Sequence, residues 1–579
     1  MKETQLQTMK RILVELKPQR LSVVLSLILA MVSVIFTIYI PISIGKLVDC
    51  IVAAGNVDFD GIFRISIQMI LFIMIVFVSQ WVMNLLNNKI TYNLALDIRN
   101  KAFENLARMP LSAIDNHMKG DYVSRIVNDI DSFTDGVLMG FTQLFTGVLT
   151  ILGTIYFMLT ISVKISIIVI VATPLSLLLA KLISEKTYKH FRRQAEIRGS
   201  QTSLIEETIN NHEVVKNFDY ENQILDDFEK SNVELSKSGL KAIFYSSTVN
   251  PSTRAINNII YGAVCAFGAI LVIQSNITVG AFVSFLSYAS TYAKPFNEIT
   301  GVITEFQNAL ACAKRVFEII DAPSEIDDGK TNISEFKGSI EFKNVAFSYN
   351  KEKTLITDFN LLVKPGQKIA IVGPTGAGKS TIINLLMRFY DVDEGEILID
   401  GVNIKDIPLS KLRASFGMVL QDTWLKEDSI RNNLKFSDET ISDEKMIEVS
   451  KEAHVHSFVS KMKKGYSSVL SAGNTALSVG QKQLLCIARV MMKIPPMLIL
   501  DEATSSIDTR TEQKIQSSFN KMMSGRTTFV VAHRLSTIKN ADVILFIKDG
   551  KIVEQGNHSF LLQKGGFYAK LYQDQFQDS

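Results

Sequence analysis

Gly373-Pro-Thr-Gly-Ala-Gly-Lys379-Ser380 follows directly on the apolar run Lys368-Ile-Ala-Ile-Val372. A glycine, four residues, then Gly-Lys-Ser is the spacing of a loop that wraps phosphate. Gly373, Gly376 and Gly378 let the backbone curl, with Pro374, Thr375 and Ala377 between them, so that N–H groups converge on one anion. Lys379 brings a point charge to the outer phosphates, and the Ser380 hydroxyl can ligate Mg²⁺. Thr381 to Tyr390 reads as a helix whose N-terminus faces the same anion. The chemistry implied is binding of a nucleoside triphosphate with Mg²⁺.

Further residues can act on that ligand. Met497-Leu-Ile-Leu500 is a continuous apolar run, as a strand buried on both faces requires, and it ends in Asp501-Glu502. An aspartate there can hold Mg²⁺ through its shell, and the next carboxylate is placed to polarise an attacking water. Leu477-Ser-Val-Gly-Gln481 precedes a helix expected over Lys482 to Met492, which puts Ser478 and the Gly480 amide at a phosphate-facing helix end. Gln421 lies in a loop after Phe416-Gly-Met-Val-Leu420, and His533 follows a strand expected over Thr527 to Val531.

These residues need a scaffold, and the 579-residue chain is long enough for about three to four units. Its 47% apolar content is uneven, with long apolar runs in the first half and a soluble α/β pattern in the second. A net charge of +3 gives no reason to expect a nucleic-acid partner. The four cysteines, Cys50, Cys265, Cys312 and Cys486, lack metal-ligand or redox spacing and read as reduced and structural.

A spanning helix needs about twenty mostly apolar residues. Leu21 to Ile44, Ile62 to Leu86, Gly136 to Ser162, Ile165 to Ile183, Asn258 to Gln274 and Val279 to Tyr292 give about six spans, the last two weaker in hydropathy. The long connections after the second and fourth spans are rich in Lys and Arg, so they and both termini are expected on the cytoplasmic side. Their helical patterning implies that membrane helices continue into the cytoplasm and reverse near Pro110 to Asp115 and Val214 to Asp219. Glu3 to Leu16 is amphipathic, expected on the inner membrane surface, and has no cleavage site of a signal peptide. The domains expected are an N-terminal segment 1–20, a transmembrane domain 21–320, a polar linker 321–337 and a nucleotide-binding domain 338–579.

In this order the motifs resemble those of ATP-binding cassette transporters, specifically half-transporter exporters, over essentially the whole chain. The resemblance implies an all-α transmembrane domain of six helices with extended cytoplasmic parts, followed by an α/β P-loop cassette that hydrolyses ATP with Mg²⁺. In that family Tyr349 would stack on adenine, and Gln421 would link the magnesium site to the membrane domain. Glu502 would be the general base, His533 would contact the γ-phosphate and orient water, and Asp508 would bridge two ATP sites. Ser478, Gly480 and Gln481 belong to the family's Leu-Ser-Gly-Gly-Gln signature, which closes over the partner subunit's ATP. Here Val479 replaces its first glycine. A side chain at that point restricts backbone freedom and crowds phosphate, which favours one half of a heterodimer with unequal sites over a homodimer.

The function implied is export of a hydrophobic or amphipathic substrate, drug or lipid-like, across a cell membrane of the bacterial inner or plasma membrane type, with the cassette cytoplasmic. Peptide export, or a membrane ATPase or sensor without bulk transport, is the alternative; no peptidase-like domain precedes the first span. Tyr288, Tyr292, Phe296 and Asn297 offer an aromatic and polar face for substrate. Arg254 and Glu298 fall at similar depth near the inner boundary, as a pair or as flanks of an entry.

Overall fold

The computed structural model describes residues 5–53, 56–115, 119–274, 276–325, 327, 329–331, 333–350, 354–420, 423–436, 438–470, 477–501, 508–531 and 538–576. It divides into one unit of Met1–Ala107 with Lys119–Ala322, and a second of Arg108–Met118 with Pro323–Ser579.

Apart from a short antiparallel pair, Ile51–Ala53 with Asn56–Val57, the first half is built of helices, chiefly α1 Gln5–Glu15, α2 Arg20–Asp49, α3 Phe59–Arg108, α4 Leu111–Asp115, α5 Ile130–Ile161, α6 Val163–Asn210, α7 Glu221–Ile273 and α8 Val279–Ile320. The 50 residues of α3 make a rod of about 75 Å, far longer than the roughly 30 Å of hydrocarbon it must cross. Its length leaves room for the expected continuation past the bilayer. Among the described residues four helices are long and apolar enough to span, Lys17–Asp49, Phe59–Arg108, Gly120–Ile161 and Glu221–Ile273, with Val163–Thr173 as a shorter apolar stretch. This is fewer than the expected six. In α8 the cause is polarity: serines, threonine and tyrosines dilute the run, and Lys294 interrupts it about 22 Å from Val279.

Polar groups pin the first membrane helix to the last. Ser284 Oγ donates to Pro41 O at 2.9 Å, and the buried Tyr288 hydroxyl donates to Ile38 O at 2.6 Å. At the other end of this contact Asp49 accepts from Gly280 N at 2.7 Å and from Thr278 Oγ at 2.8 Å. A carboxylate from the C-terminus of α2 thus satisfies an orphan amide at the N-terminus of α8, beside the N-cap bond from Ala281 N to Thr278 Oγ. Towards the other end of α8, Arg315 donates to both oxygens of the buried Asp129 at 2.7 Å.

The second unit holds two sheets. Strands β1 Ile340–Phe347, β2 Ile356–Val363, β3 Lys368–Val372, β4 Glu394–Ile399, β5 Val402–Asn403, β6 Phe416–Val419, β7 Met497–Asp501, β8 Thr527–Val531, β9 Val543–Lys548 and β10 Lys551–Gly556 follow in chain order. The four-stranded antiparallel sheet has the order β2-β1-β4-β5. The six-stranded sheet has the order β10-β9-β3-β8-β7-β6, parallel except for β10. Its central strands are apolar runs buried on both faces, Ile369 to Val372 and Met497 to Leu500 among them. The α/β cassette expected from the sequence is what the chain forms.

Replacing Asp49 by alanine removes a cap of α8, a loss of about 0.5–2 kcal/mol. The melting temperature of the detergent-solubilised chain is expected to fall, with Asp49→Asn, which keeps one acceptor oxygen, falling between the two.

Candidate functional site

In open parallel sheets, ligands sit beyond the carboxyl ends of the strands. In-register pairs Ile371–Val531, Val531–Asp501 and Leu500–Val419 end β3, β8, β7 and β6 along one such edge. The phosphate loop leaves β3 at this edge. A Cβ on Gly373 would lie 2.1 Å from the Ile547 carbonyl oxygen, so nothing larger than glycine fits between the loop and β9. The loop ends at Gly378, whose φ of 98° only glycine adopts without strain, and α9 Lys379–Leu386 starts there. That helix begins two residues earlier than Thr381 and stops short of Tyr390.

Lys379 Nζ folds back over the loop and donates to Gly373 O at 2.8 Å and Pro374 O at 3.0 Å. Burial holds its ammonium below the ordinary lysine range, and the charge of Asp501 at the end of β7 works in the opposite direction. The loop, the lysine and Asp501 are therefore brought together. Ser380 is exposed on the first turn of α9, while Thr381 is buried. Lysine, hydroxyl and carboxylate around a bend of glycines form a donor set suited to a phosphate chain carrying a hard cation.

Tyr349 stands beside α9: its hydroxyl accepts from Asn384 Nδ2 at 3.0 Å, and its ring meets Phe347 and Tyr390 edge-on at 4.8 and 4.9 Å. It remains half exposed, which leaves ring surface for a further aromatic partner. Tyr390 itself had no marking in the sequence. Its hydroxyl donates to Asp115 at 2.5 Å, at the C-terminus of α4, so a turn of the first half of the chain is bound within the nucleotide unit. Burial and the Asp115 carboxylate both raise the pKa of that phenol.

The signature segment forms a helix start, three residues earlier than expected. Ser478 caps α10 Val479–Met491, accepting from Gln481 N at 3.2 Å while Gln481 Oε1 accepts from Ser478 N at 3.0 Å. Val479 thus occupies the first helical position, and it is not among the residues with positive φ. The expected restriction of backbone freedom is not found, because a helical residue needs no glycine. What remains is the side chain itself, 57% exposed beside the buried Gly480. Asp508 caps α11 Thr509–Met523 by accepting from Thr511 N at 2.9 Å, a bond that holds its carboxyl below the usual range. Among the described residues no hydrogen bond joins Ser478, Gly480, Gln481 or Asp508 to the phosphate loop. Gln421, Glu502 and His533 lie outside the described residues, two, one and two positions after β6, β7 and β8.

Replacing Lys379 by alanine removes a charged donor, worth about 1.5–3 kcal/mol, so affinity for ATP measured by calorimetry is expected to drop at least about tenfold. Tyr390→Phe keeps the ring packing and loses the bond to Asp115. Amide exchange across 111–115 is expected to accelerate about fivefold, the equivalent of ~1 kcal/mol, with ATP affinity changed less than about twofold.

Residues 23–296 match the family described as ABC transporter transmembrane region, and residues 356–505 match that described as ABC transporter. The chain is 34% identical over 572 residues to the uncharacterized ABC transporter ATP-binding protein YfiC of Bacillus subtilis (strain 168), covering 98% of this chain and 94% of that protein. It is 36% identical over 525 residues to a fatty acid ABC transporter ATP-binding/permease protein of Mycobacterium tuberculosis (strain CDC 1551 / Oshkosh), covering 90% and 83%. Over 484 residues it is 35% identical to an ATP-dependent lipid A-core flippase of Syntrophus aciditrophicus (strain SB), covering 83% and 80%. Its fold is similar to that of a bacterial Atm1-family ABC exporter with ATP bound, with a TM-score of 0.78 at 26% identity and coverage of 97% and 98%. With a transmembrane region and an ATP-binding region in one polypeptide, the chain belongs to the ABC transporter family.

Proposed function

We propose that the chain is one half of an ATP-driven exporter that moves a lipid-like substrate across the membrane by alternating access. The carrying observation is a single unit that holds both the phosphate loop around Lys379 and the helix α4, which is fastened by Tyr390 to Asp115 and continues the same polypeptide as the membrane helix α3. A change of shape on closing around ATP then has a mechanical outlet. The relatives named for fatty acid and lipid A-core transport support a lipid-like cargo. Six spans, α2, α3, α5, α6, α7 and α8, fit this reading, with the polar faces of α6 and α8 turned to a substrate path.

In this reading the loop 373–381 binds the phosphates and Tyr349 stacks on the base. Ser380 and Asp501, with Gln421, would hold Mg²⁺, which supplies neutralisation of phosphate charge when bound. Glu502 takes the proton of the attacking water, and His533 holds that water and the outermost phosphate in line. Ser478, Gly480 and Gln481 of one subunit face the loop of the other, with Asp508 between the sites.

The pair is read as unequal. An isopropyl group at Val479, exposed on the first residue of a phosphate-facing helix end, crowds the space where the family has glycine. The site built on this chain's own Lys379 and Glu502 would then pair with an intact signature from a different subunit. The purified chain, alone in lipid nanodiscs, is expected to hydrolyse ATP at least about tenfold more slowly than the pair recovered from its native host, a difference of about 1.4 kcal/mol in barrier, and only the pair should respond to added amphiphiles. Full-rate hydrolysis by the chain alone would contradict the unequal pair.

A further inference from the structure

Within the membrane unit a cavity of about 520 Å³ opens between α6, α7 and α8. Arg254, Asn257 and Asn258 of α7 line it together with Lys294 of α8, and so do Val169, Ile260 and Ala289. Counting 1.5 Å per residue inward from the outer helix ends at Val163, Ile273 and Val279 orders these by depth. The two cations and the asparagines lie about 22–29 Å in, Ile260 and Ala289 about 15–20 Å, and Val169 about 9 Å. Thr173, Tyr261 and Ser290 line the cavity at about 15–18 Å, so the wall is mixed apolar and hydroxyl-bearing towards the middle of the bilayer and cationic only at its inner end.

Among the described residues no carboxylate is paired with either cation. Residues 163–184 of α6, 235–273 of α7 and 279–297 of α8 contain no aspartate or glutamate. Among the described residues neither Arg254 nor Lys294 makes an ion pair, and both are exposed and line the cavity. Glu298, the carboxylate expected near Arg254, follows Lys294 by one turn, and its side chain lies outside the described residues. Ionisable groups at this depth are costly to keep in hydrocarbon unless a partner neutralises them. Two cations with amide donors beside them suit a carboxylate or phosphate, and they repel a cationic cargo. The volume falls in the range of small-molecule pockets, and Val169, Ile260, Ala289 and Ala293 give it apolar wall for an acyl chain beside the hydroxyls of Thr173, Tyr261 and Ser290.

We propose that this cavity holds the acidic headgroup of the transported amphiphile, a carboxylate or phosphate monoester on an acyl chain, with Arg254 and Lys294 as the recognising cations. The proposal rests on the transport reading and adds to it the charge of the cargo and the residues that select it.

Binding separates the two readings, because it needs no turnover. The full chain in neutral detergent is titrated with a fluorescent long-chain fatty acid, with the matching alcohol and with the matching amine. The acid is expected to bind about tenfold or more tighter than the alcohol, as one or two charge-assisted contacts imply, and the amine weakest of the three. Inorganic phosphate, which has the charge without the chain, should not displace the acid. R254Q/K294Q should bind the acid and the alcohol alike, while R254K/K294R should keep the preference. Equal binding of acid and alcohol by the unaltered chain would overturn the proposal whatever the variants do. So would a preference that survives in R254Q/K294Q, or displacement by inorganic phosphate, which would mark a free-anion site. ATP-driven movement of neutral amphiphiles without acid preference would defeat this proposal alone; acid preference without ATP-driven movement would defeat the transport reading alone.

Discussion

The parallel pairing of β3, β8, β7 and β6 is the constraint on which the nucleotide unit depends. These strands are largely buried on both faces and run parallel in register with their neighbours, so their carboxyl ends fall at the same edge. A shift of one residue would turn a different set of side chains toward each packed layer and move the start of every following loop. The phosphate loop and Asp501 acquire their relation to each other from this register, since no direct bond is needed to align residues that begin where paired strands stop. The Gly373 contact with β9 adds a second restraint, because the loop passes too near the Ile547 carbonyl to tolerate a side chain.

In the membrane unit the corresponding restraints are isolated polar contacts in an apolar setting. Where lipid and apolar side chains offer little selectivity, a hydroxyl or carboxylate that must be satisfied fixes which helices meet and at what height. Asp49 with Gly280, and Tyr288 with Ile38, do this between α2 and α8. These contacts leave α8 polar enough to fall below the hydropathy of a spanning helix, and the same composition puts Lys294 against the cavity it shares with Arg254. The residue that spoils a hydropathy window is thus the one with chemistry to offer.

Much of the cassette was legible in the sequence because its signals are local. A glycine-rich loop between a strand and a helix, or a β-strand buried on both faces, needs only neighbouring residues to be recognised. The start of α10 was also written locally, as Ser478 and Gln481 in capping-box spacing, and a reading that began the helix at Lys482 overlooked it. That oversight made Val479 look like a backbone problem when it is a matter of an exposed side chain. The bond between Tyr390 and Asp115 was not legible at all, since 275 residues separate the partners and neither has a distinctive neighbourhood. Arg254 and Glu298 were expected at similar depth, as a pair or as flanks of an entry; the Glu298 side chain lies outside the described residues, while Lys294, which no depth count singled out, lines one cavity with Arg254.

The central claim is that energy from ATP at the loop around Lys379 moves an amphiphile across the bilayer. Inside-out vesicles containing the chain with its native partner, loaded by external addition of a fluorescent fatty acid, test it most directly through the probe that becomes inaccessible to an external quencher. The account predicts ATP-dependent sequestration that stops when ATP is replaced by ADP. ATP hydrolysis by the same vesicles with no movement of any amphiphile would contradict it.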